Sequence, residues 1–115
     1  MIQGEKKYDK GDYQGAIAAY TQAIVLNPNY ADAYNGRGNA RYRLGDYKGA
    51  VADFNEALRI NPNYALAYNS RGNARAELGD KQGAIQDFQK AADLFQKQGD
   101  KNNYEKAINI LRRLQ

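Results

Sequence analysis

Apolar residues recur along this chain at helical spacing. One stripe is Ala16, Ile17, Tyr20, Ala23 and Ile24; it returns as Ala50, Val51, Phe54, Ala57 and Leu58, and again as Ala84, Ile85, Phe88, Ala91 and Ala92. Such spacing lies along one side of a 3.6-residue helix, so each set predicts an amphipathic helix with a face that must be buried. The interruptions are as regular as the stripes. Asn27-Pro28-Asn29 and Asn61-Pro62-Asn63 stop helices, because proline lacks a backbone donor and restricts the residue before it. Gly11-Asp12, Gly45-Asp46, Gly79-Asp80 and Gly99-Asp100 read as interhelical turns: glycine gives a helix its left-handed exit and aspartate caps the helix that follows. The pattern predicts helices over 2–10, 13–26, 31–44, 47–60, 65–78, 81–97 and 101–114, hence an all-α fold.

These elements repeat. Residues 27–47 read N-P-N-Y-A-D-A-Y-N-G-R-G-N-A-R-Y-R-L-G-D-Y, and 34 residues later 61–81 read N-P-N-Y-A-L-A-Y-N-S-R-G-N-A-R-A-E-L-G-D-K, with 16 of 21 positions identical. A hairpin with one apolar face cannot cover it alone, so a fixed period of this length implies stacked repeats rather than one closed core. The expected organisation is a single stacked domain over 1–115: a first repeat over 1–30, a second over 31–64, a third over 65–98 and a closing helix over 99–115. Gly38, Gly72, Ala50, Ala57, Ala84 and Ala91 stand where helices approach closely. Tyr20, Phe54 and Phe88 fill the space they leave.

Composition narrows the chemistry. The 115 residues include no cysteine and no histidine, which removes disulfides, thiolate metal sites, the commonest general base and the commonest metal ligand. No apolar run approaches the ~20 residues of a membrane span, and M-I-Q-G-E-K-K-Y lacks a leader's apolar core. No membrane span is expected, and the cytoplasm is the favoured compartment. The formal charge is +4, but Lys and Arg are interleaved with Asp and Glu, so nucleic acid is not the expected partner. No nucleophile–base pair, metal cluster or phosphate loop stands out. The expectation is therefore no enzyme, no cofactor and no metal.

In this register the chain resembles the tetratricopeptide repeat (TPR) family. The family signature falls on Tyr34, Gly38, Gly45-Asp46-Tyr47, Ala50, Phe54, Ala57 and Pro62, then on Tyr68, Gly72, Gly79-Asp80, Ala84, Phe88 and Ala91. Backwards from Ala31 it falls on Gly4, Gly11-Asp12-Tyr13, Ala16, Tyr20, Ala23 and Pro28, so the resemblance covers residues 1 to about 94. It implies an α-α superhelix, the TPR solenoid, whose first helix in each pair faces a concave groove. The motif N-P-N-Y-A-x-A-Y-N-x-R-G is also similar to bacterial TPR proteins of the assembly-factor kind. Met1 falls on the fifth position of a repeat, which implies a fragment of a longer array whose N-terminal end could stack on another copy. The last helix reads as a cap, with Tyr104, Ala107, Ile108, Leu111 and Leu114 inward and Lys101, Lys106, Arg112 and Arg113 outward.

Two constellations carry candidate roles. Arg37 and Arg71 stand where the TPR pattern usually has leucine, with Asp53 and Asp87 sixteen residues after each; in the first repeat the same columns hold Gln3 and Ala19. Arginine and aspartate thus come and go together, which predicts structural ion pairs across the helix interface, with an anion site as the alternative. Asn35 and Asn39 share one helical face, and Asn69 and Asn73 repeat them. A carboxamide offers both a donor and an acceptor, so the row suits a peptide main chain, with a polar solvated face as the alternative. The resemblance places these columns in the groove, where Tyr8, Tyr42 and Arg43 would select a ligand. Some TPR domains clamp a terminal carboxylate with Lys, Arg and Asn. The columns for the clamp's first basic residue here hold Met1, Asn35 and Asn69, so the usual chaperone tail is not the expected ligand. Lys7, Arg41 and Arg75 form a second basic column, read as solvated or as meeting an acidic partner. The resemblance implies a non-catalytic scaffold that binds a peptide segment of a protein partner. The alternatives are a self-assembling spacer that forms homo-oligomers and, more weakly, a binder of acidic polymers.

Overall fold

A computed structural model describes residues 2–115. Among them the chain forms seven helices and no strand: α1 (Ile2–Asp9), α2 (Tyr13–Leu26), α3 (Ala31–Arg43), α4 (Tyr47–Ile60), α5 (Ala65–Glu77), α6 (Lys81–Lys97) and α7 (Lys101–Leu114). Each boundary lies within one residue of the position that stripes and breaks predict, and the chain is an all-α helical repeat.

The Gly-Asp pairs explain that sharpness. Gly45 has φ +83, and its N–H bonds the Tyr42 carbonyl at 3.0 Å while Asp46 N–H bonds the Arg41 carbonyl at 2.9 Å. This pairing satisfies the last carbonyls of α3. Asp46 then turns round and opens α4, its Oδ1 accepting from Gly49 N–H at 3.0 Å. Asp12 and Asp80 cap α2 and α6 through Gly15 and Gly83 in the same way, both at 2.9 Å. Two residues therefore close one helix and start the next. Asn27 and Asn61 end α2 and α4 instead, in extended conformation, just before the prolines.

The helices gather into two compact units, Met1–Pro62 and Asn63–Gln115. In the first, α1 to α4 pack consecutively, and α1 also touches α3. Its buried residues include Ala16, Tyr20, Ala33 and Ala40, with Ala50, Phe54 and Ala57 fully enclosed. Tyr20 of α2 is wedged between two glycines. A Cβ on Gly4 would lie 2.7 Å from the ring, and one on Gly36 would collide with it. Gly38 has the same relation to Phe54, again at 2.7 Å.

In the second unit α5 packs on α6 and α6 on α7. Gly72 lies against Phe88, where a Cβ would stand 3.0 Å from Cζ. Phe88, Ala84 and Leu111 form one cluster; Ala65, Ala91, Leu94 and Phe95 form another, with Tyr68 and Tyr104 against it. Helix α7 turns Ala107 and Leu111 inward, half-buries Tyr104, Ile108 and Leu114, and leaves Lys101, Lys106, Arg112 and Arg113 exposed.

Candidate functional site

The aspartates at 53 and 87 organise the polar chemistry of each unit. In the first unit Arg37 donates to Asp53 through Nε at 3.0 Å and Nη2 at 2.8 Å, a bidentate pair between α3 and α4. Arg41, one turn along α3, adds a bond from Nη1 to Asp53 Oδ2 at 2.8 Å. The Asp53 side chain is only 4% exposed, so three donors from two cations are what make a buried carboxylate tolerable there. Arg37 also reaches Thr21 Oγ1 at 3.3 Å and lies over the Tyr34 ring at 5.5 Å. The hydrogen bond to Asp53 raises the Arg37 guanidinium pKa, against the opposing pull of burial.

The second unit repeats the arrangement. Arg71 donates to Asp87 at 3.0 and 2.7 Å, Arg75 donates at 3.0 Å, and Arg71 lies over Tyr68 at 5.4 Å. This corrects the reading of Arg41 and Arg75 as solvated or open to an acidic partner, while Lys7 of the same column keeps its exposed side chain. Arg41 and Arg75 are ion-paired within their own hairpins, and Lys7 faces Asp12 at 4.0 Å. A signal was available in the sequence: the column is arginine only where Asp53 or Asp87 stands opposite, and lysine beside Ala19.

The odd-numbered helices carry the remaining candidates. On α3, Asn35 is 8% exposed and Asn39 is half-buried. Asn35 Oδ1 is enclosed with no hydrogen-bond partner among the described residues. On α5, Asn69 and Asn73 are half-buried.

Tyr8 and Arg43 meet across α1 and α3: Arg43 Nε donates to the Tyr8 hydroxyl at 3.0 Å, which raises the guanidinium pKa. Tyr8 stands edge-on to Tyr13 at 5.2 Å, and Tyr42 to Tyr47 at 5.3 Å. The first unit thus brings Asn35, Asn39, Tyr42 and Arg43 onto α3, with Tyr8 beside Arg43. Asn69 and Asn73 are the second unit's share. Met1, the remaining clamp column, lies outside the described residues. The tie between Arg43 and Tyr8 spans 35 residues and has no counterpart in the third repeat, where Glu77 replaces Arg43; nothing in the pattern announces it.

A shallow hollow of about 440 Å³ at the α6–α7 turn is lined by Gln96, Gly99, Asp100, Lys101, Tyr104 and Glu105. It holds no pairing of nucleophile and base. Among the described residues no acidic cluster suits a metal ion, and no helix is long and apolar enough to cross a membrane.

Known proteins resemble this chain in sequence and in fold. The family model described as TPR repeat matches residues 4–45 and 38–79, and the one described as tetratricopeptide repeat matches 65–98. No curated protein sequence matches significantly. The first TPR of Spaghetti (RPAP3), solved bound to the HSP90 peptide SRMEEVD, superimposes with TM-score 0.89 at 32% identity, covering 98% of this chain and 85% of that one. The Arabidopsis OM64 TPR domain gives 0.88 at 30% identity, covering 99% and 89%. The second TPR domain of human RPAP3, solved with the HSP70 peptide SGPTIEEVD, gives 0.86 at 26%, covering 98% and 89%.

Proposed function

The chain belongs to the tetratricopeptide repeat family, and from that premise we propose that it is a non-catalytic scaffold binding a peptide segment of a partner protein, with an amide pair on α3 in the first unit and another on α5 in the second. The observation that carries this reading is the amide face of α3, which opens from the buried Asn35 to the partly exposed Asn39 one turn on. Asn39, Asn69 and Asn73 extend the same chemistry, one turn along α3 and at the matching positions of α5. Carboxamides at such spacing serve both the N–H and the C=O of a peptide main chain, so they hold a ligand irrespective of its side chains. Tyr8 and Arg43, already fixed to one another, add a preordered rim, and Tyr42 lies beside them on α3. Preordering matters because a groove that does not reorganise loses little entropy on binding.

Two of the similar domains bind peptides ending in Glu-Glu-Val-Asp, which supports a peptide as the ligand class. The acidic tail itself is not what this chain is built for: Asn35 and Asn69 stand where the clamp's first basic residue would fall. Nor do Arg41 and Arg75 supply free charge to an acidic polymer, since Asp53 and Asp87 engage them.

The test begins with selection of ligands from a displayed random-peptide library. The best peptide is then titrated by fluorescence anisotropy against the wild type and against Asn39→Ala/Asn73→Ala. Two lost hydrogen bonds should weaken binding roughly tenfold or more, with far-UV circular dichroism unchanged. Equal affinity for both proteins rejects the amide row, and failure to select any peptide rejects the scaffold reading.

A further inference from the structure

Helix α1 departs from α3 on one side. Gln3, Lys6, Lys7 and Lys10 are spaced i, i+3, i+4 and i+7, within about 100° of the helix circumference. Lys10 follows the last residue of α1 but keeps a helical bond, its N–H on the Lys6 carbonyl at 3.2 Å. Together the four residues line a shallow hollow of about 210 Å³. In the repeat register they match Arg37, Ala40, Arg41 and Leu44. Ala40 is fully enclosed, clustered with Ala16 and Tyr20 of the preceding helix. Lys6 at the matching position is exposed, as is Lys10.

The internal counter-charge differs too. Asp53, sixteen residues after Arg37 and twelve after Arg41, binds both. The residue in that relation to Gln3 and Lys7 is Ala19, half-buried on α2. Lys6 and Lys10 have no ion-pair partner among the described residues, and Lys7 faces Asp12 Oδ2 at 4.0 Å. Asp12 is already engaged through Oδ1, which caps α2 by accepting from Gly15 N–H. The other acids of α1, Glu5 and Asp9, lie more than about 100° round the helix from the middle of the lysine face. Three cations therefore share one glancing carboxylate.

Charge and burial select the occupant. Another hairpin of this chain, stacked there, would have to enclose the Lys6 ammonium where Ala40 is enclosed, which buries an unpaired charge. Three lysines over roughly 10 Å of helix offer too few phosphate contacts to hold a nucleic acid at physiological salt. A carboxylate is the group that the neighbouring repeat places against this column, through Asp53.

We propose that the lysine face of α1 is a second interaction surface, built on residues other than the amides, that docks an acidic helical segment of a partner protein. Lys6 and Lys10, one turn apart, pair with Asp or Glu side chains recurring at i and i+4 of that segment, and Gln3 and Lys7 supply donors beside them.

The probe is an N-acetylated, C-amidated helical peptide of alanine and glutamine with glutamate at every fourth position. Fluorescence anisotropy follows its binding to the wild type, Lys6→Gln/Lys10→Gln, Ala19→Asp, Lys81→Gln/Lys90→Gln and Asn39→Ala/Asn73→Ala. Lys81 and Lys90 are exposed on α6, so that pair makes the same charge change elsewhere. Lys6→Gln/Lys10→Gln should weaken binding about fivefold or more, the loss expected of two surface ion pairs. Ala19→Asp, which returns a carboxylate to the position matching Asp53, should also weaken it. The α6 and asparagine variants should match the wild type. Equal affinity in the wild type, Lys6→Gln/Lys10→Gln and Ala19→Asp overturns the proposal. So does a glutamine-for-glutamate probe that binds as well, a single-stranded oligothymidylate that outcompetes the peptide, or no binding to the wild type. A loss confined to Asn39→Ala/Asn73→Ala overturns the lysine face while supporting the amide row.

Discussion

Asp53 is the residue on which most polar contacts of the first unit converge, and its energetics follow from burial. Removing it strands Arg37 and Arg41 beside an emptied, poorly hydrated site. Asp53→Ala should cost about 3–5 kcal/mol in chemical denaturation. Arg41→Ala should cost only about 1 kcal/mol, because Arg37 keeps both of its bonds to the carboxylate. Tyr20 supplies a second test at this scale. Burial first, then Glu5 and Asp9, push its phenol from 10.0 up to about 12. Below pH 10 the phenol is neutral in both states and the folded form keeps its full advantage. Between pH 10 and about 12 the unfolded chain ionises while the folded one holds its proton, so stability falls as pH rises, by roughly 2–3 kcal/mol in all. Tyr20→Phe should remove that part of the alkaline loss, read from urea midpoints across the range. The sequence makes the covariation of Arg37 with Asp53 and Arg71 with Asp87 visible, since both partners are absent together in the first repeat. It does not make visible that Asn35 is buried while Asn69 is half-buried, because the two asparagines stand at the same position of the repeat.

Helix limits were legible almost to the residue, and the reason is local. Each Gly-Asp pair combines a backbone conformation that side-chain-bearing residues avoid with a strong capping side chain, so competing boundaries are penalised twice. Asp46→Ala should cost about 1 kcal/mol by loss of its bond to Gly49 N–H. Gly45→Ala should cost about 1 kcal/mol through the positive φ alone, since nothing within 4 Å would meet the added Cβ. The two effects should be separable by thermal denaturation of the single variants. Contacts between elements were less legible. The bond from Arg43 to Tyr8 joins side chains 35 residues apart, and the second and third repeats differ at this point. A period shows which columns are equivalent, not which side chains from different columns meet.

At the scale of the whole molecule, repetition itself separates the two kinds of polar residue. Arginine and aspartate consume one another inside each hairpin, so Arg37, Arg41, Arg71 and Arg75 are engaged within the fold rather than offered to a partner. The asparagines of α3 and α5 are not consumed in this way, which leaves them for binding. Side-chain amide signals in ¹⁵N-correlated NMR spectra, followed while a selected peptide is added, test this most directly. The NH₂ resonances of Asn35, Asn39, Asn69 and Asn73 should move with the peptide concentration, together with the backbone signals of α3 and α5. Shifts confined to α2, α4 and α6, with those four amides unmoved at saturation, would contradict it.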